Sequence, residues 1–185
     1  MSEIINSITN SADILTNIAN NLGPVQNLLR GASFLIGLSF AIKAIYTLKV
    51  YGEARTMMAT NSSLKEPLVY MMVAAIFLYF PTAFEILMNT TFGYSSPMAY
   101  APVNSQNQYI NSLFGSGSVV GWSLSVILKT IGLAAFIRGW VLIARAASQG
   151  QPPGGTGKGL MHVMAGILLM NIIGTLTIIE NTLYG

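Results

Sequence analysis

The sequence predicts an all-α, polytopic membrane protein, with four transmembrane helices as two parallel-repeat hairpins and an amphipathic helix at the N-terminus. Apolar residue types make up 52% of the 185 residues and charged types only 8%, whereas a soluble domain carries about 25% charged residues. The mean hydropathy is +0.59. Four apolar stretches are each long enough to cross a bilayer core, which takes about 20 helical residues.

Residues 1–26 form the first predicted segment, an amphipathic helix over 3–22 with an asparagine-rich polar face. It is expected to end at Gly23-Pro24, because proline cannot continue helical hydrogen bonding. The helix either lies in the outer membrane interface or packs against a partner subunit. Its apolar residues recur at helical spacing: Ile4, Ile5, Ile8, Ala12, Leu15, Ile18, Ala19 and Leu22.

Four transmembrane helices account for the long apolar stretches, at 27–50, 67–90, 119–146 and 159–181. Each must be helical, because a span has to satisfy its own backbone hydrogen bonds in lipid. Pro81 is expected to kink the second span, and glycines let the helices approach closely. The segments that follow the N-terminal one are a first hairpin, an outer loop and a second hairpin, at 27–93, 94–118 and 119–185.

The distribution of cations predicts the orientation. Arg55, Lys65 and Lys158 lie in the loops 51–66 and 147–158, whereas the stretch from Thr91 to Val119 has no charged residue. Cytoplasmic loops of membrane proteins are rich in Lys and Arg. We therefore expect a multi-pass protein of the bacterial inner membrane, with both loops cytoplasmic and both termini periplasmic.

The two hairpins resemble each other in sequence. Arg30 corresponds to Lys129, Lys43 to Arg138 and Lys49 to Arg145; the run starting at Asn89 corresponds to the run starting at Asn181. Each half is expected to enter from outside, turn in the cytoplasm and leave again. This is a parallel duplication of the kind found in some transporters.

Charged residues near the outer ends of the spans are candidates for ion pairs. Their predicted depth in the membrane allows the pairs Arg30–Glu85 and Lys129–Glu180, one in each hairpin. Pairing would lower the free-energy cost of placing a single charge in a membrane. Lys43 and Arg138 lie deeper. They either extend to the cytoplasmic interface or line a polar lumen in an oligomer.

Little in the sequence favours an enzyme. There is no Cys and one His, His162, so no zinc site is expected, and the carboxylates form no paired constellation. The glycine-rich run 150–159 lacks the spacing of a phosphate-binding loop. The net charge of +3 is small and spread thinly, which argues against direct nucleic-acid binding. No catalytic residue, metal or cofactor is predicted.

The outer loop mixes aromatic and polar residues without charge. It is expected to fold over the outer membrane surface or to contact partner subunits there, through Tyr94, Tyr100 and Tyr109.

Several turn segments resemble a known family. They are Tyr51-Gly52-Glu53-Ala54-Arg55-Thr56-Met57-Met58, Ser63-Leu64-Lys65-Glu66-Pro67-Leu68, Phe80-Pro81-Thr82-Ala83, Thr90-Thr91-Phe92-Gly93, Gly154-Gly155-Thr156-Gly157-Lys158-Gly159-Leu160 and Asn171-Ile172-Ile173-Gly174-Thr175. Together they look like the IcmC/DotE inner-membrane proteins of Dot/Icm type IVB secretion systems, which have counterparts in I-type conjugation systems. The resemblance covers most of 27–183 and rests on structural turns.

The resemblance implies a non-enzymatic structural or channel subunit of a machine that exports effector proteins or DNA-bound protein, and so a role in virulence or conjugation. Its expected partners are membrane lipid and other subunits of the apparatus, in a homo- or hetero-oligomer. The alternative is an independent homo-oligomeric channel or small-solute transporter, with an anion path lined by Lys43, Arg138 and Lys129.

Overall fold

The computed structural model describes residues 2–57, 63–148 and 154–184, and within the first helix the side chains from Ser11 onward. Ile4, Ile5 and Ile8 are therefore outside the described side chains, as are parts of both predicted cytoplasmic loops. The described residues form helices and no strands: α1 (Ser2–Thr56), α2 (Lys65–Leu78), α3 (Phe80–Phe92), α4 (Gln108–Phe114), α5 (Gly121–Ala146), α6 (Gly155–Met170) and α7 (Ile172–Tyr184).

Two of the described helices are long and apolar enough to cross a membrane, Ser11–Thr56 within α1 and the whole of α5. The second and fourth predicted spans are instead broken. The axes of α2 and α3 differ by 95°, and those of α6 and α7 by 93°. The described residues thus contain two candidate spans, or up to four if each bent pair is one span.

The two breaks have similar backbone geometry. Tyr79 (φ −104°, ψ 38°) and Asn171 (φ −123°, ψ 55°) each leave the helical region for one residue. Each N–H still donates to the carbonyl four residues back, on Ala75 and Ile167. The predicted kink near Pro81 is confirmed and is close to a right angle, with Pro81 in the first turn of α3. The second break has no proline.

Four glycines hold α5 and α6 in close contact. A Cβ atom on Gly132 would lie 2.8 Å from the Gly166 carbonyl oxygen, and one on Gly139 would lie 2.8 Å from that of Gly159. No side chain fits between backbones at this distance, so small residues are required there. The predicted role of glycine in helix packing is confirmed for this pair.

The same contact recurs in the first half of the chain. A Cβ atom on Gly37 would lie 3.0 Å from the backbone nitrogen of Leu78, and one on Gly132 would lie 2.7 Å from that of Met170. Leu78 and Met170 are the last residues before the two breaks. The halves therefore share a glycine contact and a break as well as matched cations.

α1 runs through Gly23-Pro24 without interruption, so the predicted end of a separate N-terminal helix is wrong. Proline removes one helical hydrogen bond, but contacts with α5 hold the turns on both sides. The Thr16 and Ser123 hydroxyls are 3.1 Å apart, and the Gln26 amide donates to the Thr130 hydroxyl at 2.8 Å. Ala12 and Ala19 are buried, so this segment packs at least partly on protein.

The outer loop has its own small core. Val103 and Phe114 are buried with Ile173 of α7, and the Val103 N–H donates to the Phe114 carbonyl at 2.8 Å. The Asn107 side chain caps α4 by accepting from the backbone N–H groups of Tyr109 and Ile110, as expected of an N-cap asparagine. The loop therefore packs against the second hairpin.

Candidate functional site

A cavity of about 530 Å³ lies between the two halves of the protein, next to both helix breaks. Leu78 and Met170, the residues that precede the breaks, both line it, and so do Ser95 and Ser96 of the outer loop. Ligand sites are commonly concave and of this size, about 300–1,000 Å³. This cavity is the candidate functional site.

Charged side chains occupy one part of the cavity. Arg30, Lys129 and Glu85 all line it, together with Gln26. Lys129 is half-buried, whereas Arg30 and Glu85 are exposed. Arg30 of α1 and Lys129 of α5 thus face the same cavity. The cavity thus combines two cations with one carboxylate.

The rest of the cavity wall is apolar. Phe34 follows Arg30 by one helical turn on α1, and Leu133 follows Lys129 by one turn on α5. The aromatic rings of Phe77, Phe80 and Phe84 complete this part. Phe80 also contacts Phe136 edge-to-face, with ring centroids 5.7 Å apart, so the wall is anchored in the core.

Neither predicted ion pair forms in the parts of the chain that the structure describes. The one salt bridge there is Lys49–Glu53 at 3.6 Å, on an exposed helix surface, where such pairs contribute little. Glu180 instead accepts from the Ser105 hydroxyl at 2.6 Å and the Gln106 backbone N–H at 2.8 Å. Arg30 and Glu85 share the cavity without an ion-pair distance of 4.0 Å or less.

Lys43 and Arg138 lie outside this cavity. The Lys43 ammonium is 4.5 Å from the centroid of the Tyr70 ring, a cation–π contact, and Arg138 is exposed. Only Lys129, of the three cations of the predicted anion path, lines the cavity. One protomer therefore does not bring the three cations together there.

Tyr70 links the two halves at the other end of the bundle. Its fully buried ring stacks on Phe40 at 5.7 Å. Its hydroxyl donates to Glu66 Oε1 at 3.1 Å and forms a second hydrogen bond with the Ser148 hydroxyl after α5.

We expect Tyr70→Phe to lower the free energy of unfolding by about 0.5–1.5 kcal/mol, the usual net contribution of a hydrogen bond. Unfolding in mixed micelles, followed by circular dichroism, measures the change. Tyr46→Phe is the control, because Tyr46 is exposed on α1. Equal stability of the two variants would show that the Tyr70 hydroxyl does not stabilise the contact between the halves.

The three tyrosines predicted to face partners have different environments. The Tyr94 hydroxyl accepts from the Asn171 amide at 2.6 Å, and Tyr100 packs against the small core of the loop. Tyr109 is 81% exposed. Of the three, Tyr109 has the most accessible side chain for a partner.

Asn171 is a buried polar residue whose contacts the sequence analysis did not predict. It is 2% exposed, and its side-chain oxygen accepts from the backbone N–H of Met98 at 3.1 Å. It thus fastens the outer loop to the second break. The sequence signal for Asn171 is a lone asparagine in an apolar span. It lies 92 residues after Tyr79, which is also the separation of the corresponding repeat positions Asn89 and Asn181.

Comparisons with protein-family models, with curated proteins and with solved structures found no match to this chain.

Proposed function

We propose that this chain is a non-enzymatic inner-membrane subunit of a type IVB secretion or conjugation machine that exports effector proteins or DNA-bound protein. The observation that supports the proposal is that α1 extends well beyond the start of α5. Thr16 of α1 lies beside Ser123 of α5, and α5 begins at Gly121 whereas α1 begins at Ser2. At a rise of about 1.5 Å per residue, α1 therefore extends roughly 18 Å beyond the start of α5.

The part of α1 near this extension exposes apolar side chains. Ile14 is 59% exposed, and Ile18 and Val25 are also exposed on the same face, with Asn17 and Asn21 between them. An exposed apolar surface with polar residues beside it is typical of a protein or membrane interaction site. The continuous α1 favours a partner subunit, because a helix rigidly packed on α5 is not free to lie flat on lipid.

Purification from native membranes tests the proposal. We expect the wild-type chain to be recovered in mild detergent with large envelope-complex subunits. Ile14→Asp with Ile18→Asp should abolish this recovery, because two charges would replace apolar contacts, and should leave the chain in the membrane. Mass spectrometry of the recovered proteins and particle size provide the measurement.

Asn20→Asp with Asn27→Asp is the matched control, since it adds the same charge at exposed polar positions of α1 that are not part of this face. It should retain the partners. Recovery of the wild-type chain alone, as a small homo-oligomer, would contradict the secretion-machine proposal.

A second candidate function is an independent channel or small-solute transporter. The cavity between two broken helices favours it, because transporters often bind substrates at repeat interfaces formed by discontinuous helices. Anion flux into vesicles that contain only the purified chain, lost in Lys129→Gln and retained in Lys43→Gln, would support this candidate over the first.

A further inference from the structure

The cavity between the two halves has the same order of residues on both of its long helices. Gln26, Arg30 and Phe34 follow one another by single turns along α1, and Lys129 and Leu133 do so along α5. Polar and cationic side chains thus come first and apolar ones lie one turn further into the apolar stretches. This order matches an amphiphile, with a charged head and a hydrocarbon tail.

The charges define the head group. Two cations and one carboxylate line the cavity, which leaves a net charge of +1 among these three groups at neutral pH. No ion pair at 4.0 Å or less neutralises Arg30 or Lys129 in the described part of the chain. A monoanionic phosphodiester would balance this charge, and basic pockets between transmembrane helices are known sites for anionic lipid head groups.

The apolar wall defines the rest of the ligand. A free inorganic anion would use only the charged part of the cavity and would leave Phe34, Phe77 and Leu133 without a ligand contact. A lipid acyl chain would cover these side chains. The volume of about 530 Å³ suits a head group together with the first part of a chain.

We propose that this cavity binds one anionic phospholipid, with its phosphodiester between Arg30 and Lys129 and an acyl chain along Phe34 and Leu133. The bound lipid would join the two halves on the side where both helices break. The lipid site is inferred from the cavity alone and does not depend on either proposed function.

Native mass spectrometry of the purified full-length chain tests this, with phosphatidylglycerol and phosphatidylethanolamine of identical chains as probes. We expect phosphatidylglycerol to bind with higher affinity. Each cation near an anionic lipid contributes about 5-fold to the binding affinity. Arg30→Gln with Lys129→Gln removes both cations and should therefore weaken phosphatidylglycerol binding about 30-fold. Arg30→Gln alone, at an exposed position, should weaken phosphatidylglycerol binding about 5-fold.

Lys43→Gln with Arg138→Gln is the matched control. It removes the same charge from the same two helices, at corresponding repeat positions outside the cavity. It should leave phosphatidylglycerol binding unchanged.

Three results would overturn the proposal. One is equal affinity of the wild-type chain for the two lipids. Another is equal loss of binding in the control and cavity variants, which would indicate non-specific attraction. The third is displacement of the lipid by millimolar inorganic phosphate, which would assign the site to a small anion.

Discussion

Gly166→Ala is expected to destabilise the protein by about 1–3 kcal/mol, the usual cost of overpacking a core. The added Cβ atom would lie 2.7 Å from the Phe136 backbone nitrogen and 2.8 Å from the Gly132 carbonyl oxygen. Backbone atoms cannot rotate away as a side-chain end does, so α5 and α6 would have to separate. The midpoint of unfolding in a mixed-micelle titration measures the effect.

Gly157→Ala is the control on the same helix, because a Cβ atom there has no neighbour within 4 Å. Alanine has a higher helix propensity than glycine by about 1 kcal/mol, so this variant should be unchanged or more stable. If both variants were equally stable, the close contact between α5 and α6 would not contribute to stability.

Asn171→Leu is expected to release the outer loop from the second hairpin. Leucine cannot donate to the Tyr94 hydroxyl or accept from the Met98 N–H. Each polar group left without a partner costs about 1–3 kcal/mol when buried. Faster cleavage of the outer loop by an added protease, together with a lower unfolding midpoint, is the expected result.

Tyr79→Leu is the matched control for this prediction. Tyr79 occupies the corresponding break in the first half, but its side chain is 70% exposed. Its substitution should leave loop cleavage unchanged. Similar acceleration in both variants would show that the backbone break, rather than the Asn171 amide, governs the loop.

Composition and apolar periodicity were sufficient to predict that the described part of the chain is helical, with helices long and apolar enough to cross a membrane. The kink near Pro81 was predictable because proline acts locally on its own helix. The break at Asn171 has no proline to signal it, and the hydrogen-bond partners of Asn171, Tyr94 and Met98, lie far away in the sequence. The predicted helix end at Pro24 failed for a related reason, since contacts with α5 on both sides keep the helix continuous.

The three charged residues of the candidate site were singled out from the sequence, whereas the cavity itself and its apolar wall were not. Arg30, Lys129 and Glu85 were identified by depth, and the structure places all three around one cavity. Depth does not determine which helices are adjacent, so the expected pairing within each hairpin did not appear. Glu180, at a similar predicted depth, is instead hydrogen-bonded to the outer loop.

α1 is much longer than a bilayer core is thick. Its 55 residues span about 82 Å at a rise of about 1.5 Å per residue, whereas a bilayer core is about 30 Å thick. A tilt of about 10° would displace one end by roughly 14 Å relative to the other, given that rise. A small change in the tilt of a helix of this length therefore shifts one end sideways relative to the other by a distance comparable to the width of another helix.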